Sequence, residues 1–150
     1  MKKLLLLLIL FPCAAYAEFD TDLLCLAHNI YHEARSQPIA EKIAISHVVL
    51  NRVQHEKYPE SVCSVIYQAK KKDTRILRNQ CQFSWYCDGK LDFPTNRKAW
   101  TESVNAAAIA KAVNFDITEG ATHYHANYVD PKWASKLHFT IAIGRHRFYK

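Results

Sequence analysis

One carboxylate stands apart in this sequence. In Ile30-Tyr31-His32-Glu33-Ala34-Arg35, Glu33 is the only acidic residue between Asp22 and Glu41, on an otherwise apolar segment. Desolvation by apolar and aromatic neighbours disfavours the anion, so a carboxyl placed there keeps its proton to higher pH. A general acid for glycosidic cleavage needs that property. The plainer reading of the same residue is a surface glutamate paired with Arg35 or a lysine, and residue type alone favours it.

Two further clusters could do chemistry. In Cys81-Gln82-Phe83-Ser84-Trp85-Tyr86-Cys87, cysteines six apart can close a loop that presents three aromatic rings. Rings held on a rigid loop suit stacking on sugars, with Gln82 and Ser84 to hydrogen-bond hydroxyl or N-acetyl groups; equally, the rings can cover the core. In Thr122-His123-Tyr124-His125, two histidines alternate as on a strand, which turns both imidazoles to one face. No third ligand stands at a supporting spacing, so lining a polar cleft and serving as satisfied structural residues are both better readings for His123 and His125, and no cofactor is expected. Serines occur without a Gly-x-Ser-x-Gly elbow. The run Lys70-Lys71-Lys72 reads as a solvated loop, and nucleic acid is not an expected partner.

The elements that must position these groups follow from periodicity. Asp20 or Thr21 caps a helix carrying Leu23, Leu24, Ala27, Ile30, Tyr31 and Ala34 at helical spacing. Pro38 ends it, and a second helix over 39–53 is apolar nearly all round, which places it at the centre of a domain. Pro59 and Glu60 open a shorter third helix through Cys63 and Ile66. Residues 69–95 have no period and read as a loop. Thr95 or Asn96 starts a fourth helix over 99–113. The segments 122–126 and 139–143 alternate as strands joined by a short helical piece, with Gly144 bending the second. The expected fold is α+β, mainly helical, a single domain with a small C-terminal antiparallel β ribbon.

Composition sets the setting. The chain has 150 residues, 49% of them hydrophobic, with a formal charge of +6 and three glycines, too few for a phosphate-cradling loop. Lys2 and Lys3, the apolar run 4–11 and Ala15-Tyr16-Ala17 form a signal-peptide pattern, too short to span a bilayer. Removal of residues 1–17 leaves a domain over 18–150 with charge +4, no stable membrane insertion and a periplasmic or extracellular location. Cys25, Cys63, Cys81 and Cys87 remain, an even count that reads as two disulfides with three connectivities.

Four stretches in order resemble the SleB/CwlJ-type cell wall hydrolases. They are Ala27-x-x-Ile30-Tyr31-x-Glu33-Ala34-Arg35; Val48-Val49-Leu50-Asn51-Arg52-Val53 with Tyr58-Pro59; Val62-Cys63-x-Val65-Ile66-Tyr67-Gln68 with Gln82-Phe83-Ser84; and 121–126 with Pro131-x-Trp133 and Ile143-Gly144-x-His146-x-Phe148-Tyr149. The resemblance implies a lysozyme-like catalytic domain acting on peptidoglycan glycan strands with Glu33 as acid, and a monomer is expected. It implies lytic transglycosylase chemistry, and Gln82, Phe83, Ser84, Tyr124 and Trp133 are the residues expected to line the cleft. The sequence departs from the pattern Glu-Ala-Arg-Gly-Glu and a later glycine, having Ser36, Gln37 and Glu41 at those places. The disulfides expected are Cys81–Cys87 and Cys25–Cys63, the latter joining the first helix to the third. A non-catalytic glycan-binding module and a metal-dependent amidase or peptidase built on His123 and His125 are the rival classes.

Overall fold

The computed structural model describes residues 20–150; the signal-peptide pattern over 1–17 lies outside them. Helix α1 spans Thr21–Ala34, and its N-cap is Asp20, whose carboxylate accepts from the Leu23 amide. Helix α2 spans Ile39–Val53. Its centrality shows in what it buries: besides Ala44, Ile45, Val48 and Val49, the polar residues Glu41, Lys42, Ser46, His47 and Arg52 all lie inside. The short helix α3 covers Val62–Ile66 and starts at the Ser61 cap, later than Pro59 and Glu60 suggest. Helix α4 covers Arg97–Ala112 with Asn96 as cap. Its small face of Ser103, Ala106, Ala107 and Ala110 is buried, which lets α4 lie close against α1 and α2. The Tyr31 hydroxyl fixes the start of α4 by accepting from the Thr95 and Asn96 amides.

The main core joins Leu26, Ala27 and Ile30 of α1, Val49 of α2 and Val65 and Ile66 of α3 to Phe83 and Trp85. Both disulfides form as expected: Cys25–Cys63 ties α1 to α3, and Cys81–Cys87 closes the short loop.

Two regions differ from expectation. Residues 69–95 are not all loop: strands β1 (Ala69–Lys72) and β2 (Arg75–Cys81) form an antiparallel hairpin, followed by a 3-10 turn over Ser84–Cys87. Eight of the eleven strand residues are exposed and none is buried, so no hydrophobic alternation marks the hairpin in the sequence. The C-terminal ribbon has three strands: β3 (His123–Ala126), β4 (Phe139–Ile143) and β5 (His146–Tyr149). Their order is β3-β5-β4, so the two strands legible in sequence are the outer ones and pair only through β5. Gly144 makes the β4–β5 turn with φ +57, a left-handed conformation that glycine adopts freely. A Cβ on Gly144 would collide with the Glu41 carboxylate.

A polar knot ties this sheet to α2. The Asp116 carboxylate accepts from the Thr118 and Gly120 amides, at 2.8 and 2.6 Å, and from Asn51 Nδ2 at 2.8 Å. Asn51 also donates to the Ala121 carbonyl, and Arg52 Nε donates to the Thr122 carbonyl at 2.7 Å. These bonds set where β3 enters.

Candidate active site

A cleft of about 310 Å³ opens between α1, α2, the disulfide loop and the sheet. Glu33 lies in it, together with Gln82, Phe83, Ser84, Tyr124 and Trp133, all of which the sequence had put forward as cleft residues. Arg52 and His123 complete the polar lining. Among the described residues Glu33 is the one carboxylate lining the cleft.

Glu33 sits in the last turn of α1 and is half-buried. Arg35 does not pair with it; that guanidinium turns back to the Tyr31 hydroxyl. Tyr124, on β3, donates its phenolic hydrogen to Glu33 Oε2 at 2.8 Å. Burial raises the Glu33 pKa, and the Tyr124 hydrogen bond and the positive charges of His146 and Arg52 offset only part of that rise. The net direction is upward, so the carboxyl holds its proton beyond the ordinary glutamate range. The Tyr124 hydroxyl is pushed well above its ordinary pKa, by burial first and by the Glu33 charge second, so it remains a donor.

Arg52 is the cleft residue whose role sequence reasoning missed. Only 4% exposed, it packs its guanidinium over the rings of Tyr58 and Phe83 at 5.3 and 5.4 Å. Its Nη1 has no hydrogen-bond partner in the protein. The available signal was weak, since Arg52 is one of several charged or polar side chains on a helix whose pattern places it at the centre of the domain, and such residues are rarely buried without a task.

Behind the cleft lies a second pair that the sequence did not reveal. His146 Nδ1 donates to Glu41 Oε1 at 2.5 Å, and the Arg145 amide donates to the same oxygen. Glu41 is 1% exposed and does not line the cleft. The His146 ring meets the Tyr124 ring edge-on at 5.3 Å. Glu41 therefore anchors a histidine that backs the phenol holding Glu33.

Of the two readings open for the aromatic loop, sugar stacking and core covering, the rings of Trp85 and Tyr86 follow the second and face inward. Trp85 is buried, donates Nε1–H to Asn29 Oδ1 at 3.0 Å and stacks on His32 with centroids 4.5 Å apart. Tyr86 packs on the same core, and Phe83, 3% exposed, lies with its ring under the Arg52 guanidinium. The packing of His28 and His32 around Trp85 is a tertiary fact with no local sequence signal. Half-buried Trp133 is left as the broad ring on the cleft wall, with His123 against it at 5.4 Å.

His123 and His125 both abut Trp133, but they serve different partners. His123 Nδ1 bonds the Thr122 hydroxyl and faces the cleft, while His125 Nε2 bonds the Tyr149 hydroxyl and its ring stacks on that residue. Among the described residues no three His, Cys, Asp or Glu side chains cluster as a metal site.

Residues 36–149 match the sequence profile of the Cell Wall Hydrolase family, a match that begins three residues after Glu33. Spore cortex-lytic enzymes of Bacillus cereus and Bacillus subtilis are 27% and 29% identical over 87% and 86% of this chain. The chain spans 45% and 37% of those relatives' length, less than half of either. The fold matches the catalytic domain of the germination-specific lytic transglycosylase SleB from Bacillus anthracis with a TM-score of 0.64 at 24% identity, covering 89% of this chain and 98% of that one. It matches the SleB catalytic domain of Bacillus cereus with a TM-score of 0.60 at 25% identity, covering 86% and 89%. The lysozyme-like, mainly helical α+β expectation accords with these neighbours.

Proposed function

The chain belongs to the cell wall hydrolase family, and from that premise we propose that it is an exported enzyme that cuts peptidoglycan glycan strands by lytic transglycosylation. The domain over 18–150 acts as a monomer after signal cleavage, in the periplasm or outside the cell, and Glu33 is its acid and base. The observation that carries this reading is a lone, proton-retaining carboxyl in a polar cleft, hydrogen-bonded by a phenol and faced by a buried cation.

The chemistry follows from those neighbours. Protonated Glu33 gives its proton to the glycosidic oxygen between N-acetylmuramic acid and N-acetylglucosamine as the bond to the anomeric carbon breaks. The resulting carboxylate is steadied by the Tyr124 hydroxyl and the Arg52 charge. It then takes the proton of the muramyl 6-hydroxyl, whose oxygen closes on the anomeric carbon. The product is a 1,6-anhydro sugar, no water is consumed, and Glu33 is protonated again. Inverting and retaining hydrolysis each call on a second carboxylate across the bond, whereas Glu41 is committed to His146 and Arg145. Trp133, Gln82 and Ser84 supply a ring face and polar groups for the sugars.

The test is Glu33→Gln, assayed by mass spectrometry of fragments released from purified peptidoglycan. Glutamine keeps the shape and cannot donate a proton, so release should fall by 10²-fold or more, on the scale of general acid catalysis. Release by a folded Glu33→Gln protein at the wild-type rate would defeat the assignment. Anhydro-muramyl ends mark transglycosylation, and reducing ends mark hydrolysis.

A further inference from the structure

The β1–β2 hairpin is an unexpected object. A two-stranded ribbon exposed on both faces is marginal by itself, and this one carries Lys70, Lys71, Lys72, Arg75 and Arg78 against the single acid Asp73. Its root is fixed by the Cys81–Cys87 disulfide and by the Gln82 amide donating to the Gln68 carbonyl at 2.8 Å. The pairing is irregular there: Ala69 faces Cys81, yet Lys71 already faces Ile76, so β2 bulges between those points. Asn79, in the bulge, adopts φ +58. Bulges of this kind re-aim side chains beside active sites.

The consequence is a second groove of about 490 Å³, lined chiefly by Gln68, Lys70, Asn79, Gln80, Cys81 and Gln82. Cys81 and Gln82 also line the cleft of Glu33, so the two hollows share a wall. Four exposed carboxamides and a lysine converge there. A carboxamide both donates and accepts, the complement of a peptide bond, and a lysine complements a free carboxylate. Residues 69–80 contain no aromatic side chain, so the ribbon lacks the stacking platform that single-stranded nucleic acid uses.

We propose that this groove binds the peptide stem of the muramyl residue held at the scissile bond, with Gln68, Asn79, Gln80 and Gln82 along its peptide groups and Lys70 on a stem carboxylate. The proposal rests on the reading of the Glu33 cleft as glycan-cleaving. It makes the enzyme selective for peptide-bearing strands over strands stripped of peptide, through the hairpin and independently of the acid.

Two measurements test it. In the first, wild type and the double variant Lys70→Glu/Gln80→Ala digest glycan strands that carry peptides and strands freed of them by an amidase. The variant should raise KM on peptide-bearing strands about tenfold or more, the scale of one lost charge-assisted hydrogen bond, and leave stripped strands unaffected. Equal loss on both substrates, or no loss on either, overturns the proposal while leaving the Glu33 reading intact. In the second, N-acetylmuramyl tripeptide is titrated into isotope-labelled protein and the side-chain amide resonances are followed. Selective shifts at Gln68, Asn79, Gln80 and Gln82 support the groove even if no strand is cut, an outcome that would reject the catalytic reading alone. Silence at those four amides at millimolar ligand overturns the groove.

Discussion

Tyr124 and Glu33, ninety-one residues apart, meet in a 2.8 Å hydrogen bond from phenol to carboxylate. That bond favours the charged form of Glu33 and so works against the burial that raises its pKa. Removing it in Tyr124→Phe lets the Glu33 pKa climb further. The acid form then persists to higher pH, so the alkaline limb of the pH–rate profile should move up. The maximal rate should fall about tenfold as the carboxylate formed during the reaction loses a donor. A pH profile on solubilised glycan strands reads both effects, and an alkaline limb that stays put or moves down would exclude Tyr124 as the group tuning Glu33.

Glu41 and Gly144 are coupled by shape. Alanine at 144 meets two penalties, a left-handed backbone that costs about 1–2 kcal/mol for a residue with a Cβ and a collision with the Glu41 carboxylate. Glu41→Ala removes the collision but leaves His146 Nδ1 and the Arg145 amide without their acceptor, at about 1–3 kcal/mol for a buried donor left unsatisfied. The two substitutions should therefore be strongly non-additive: Gly144→Ala costs much less in the Glu41→Ala background than alone. Urea unfolding of the four proteins in the cycle measures this. Additive losses would mean that the turn relaxes away from Glu41 at little cost.

How much of this was legible before the structure turns on whether a signal is local. The helices over 21–34 and 39–53 and the two outer strands were readable because apolar period and caps are local properties, whereas Glu33 stood out only as a lone carboxylate on an apolar segment and was singled out by the family resemblance. The hairpin over 69–81 was not, since a ribbon wet on both faces has no hydrophobic alternation to read. β5 was hidden because only a two-residue turn at Gly144 and Arg145 separates it from β4. The inward turn of Trp85 and the convergence of Arg52, Tyr124 and His146 on Glu33 join segments far apart in sequence, and spacing carries no record of them.

The two disulfides should separate stability from site geometry. In the chain-entropy picture, closing the 38-residue separation of Cys25–Cys63 is worth about 4 kcal/mol, and the 6-residue Cys81–Cys87 loop about 2 kcal/mol. Serine replacement of the first pair should therefore lower the denaturation midpoint more. The second pair stands beside Gln82 and Ser84 at the junction of cleft and hairpin, so its loss should raise KM while stability suffers less. Chemical denaturation alongside strand-cleavage kinetics distinguishes the two. The reverse ranking in stability would show that the loop, and not the α1–α3 tie, limits unfolding.

The Asp116 knot makes the fold acid-sensitive. Burial alone would raise the Asp116 pKa, but hydrogen bonds from Thr118, Asn51 and Gly120 outweigh it and hold the carboxyl below its ordinary range. A carboxyl depressed on folding contributes stability above its unfolded pKa of about 4. That contribution is lost as pH falls through the folded value. His47, 3.3 Å from Asp116, adds to the trend. Burial lowers its pKa more than Asp116 restores it, so the folded state resists charging it as pH drops below about 6.5. Asp116→Ala should cost about 2 kcal/mol near neutral pH, the scale of hydrogen bonds to a charged group. The gap between variant and wild type should narrow steadily below about pH 4. Thermal unfolding of both proteins across pH 3–7 measures that gap, and a difference independent of pH would assign the loss to packing of the loop before β3 and not to the charge of Asp116.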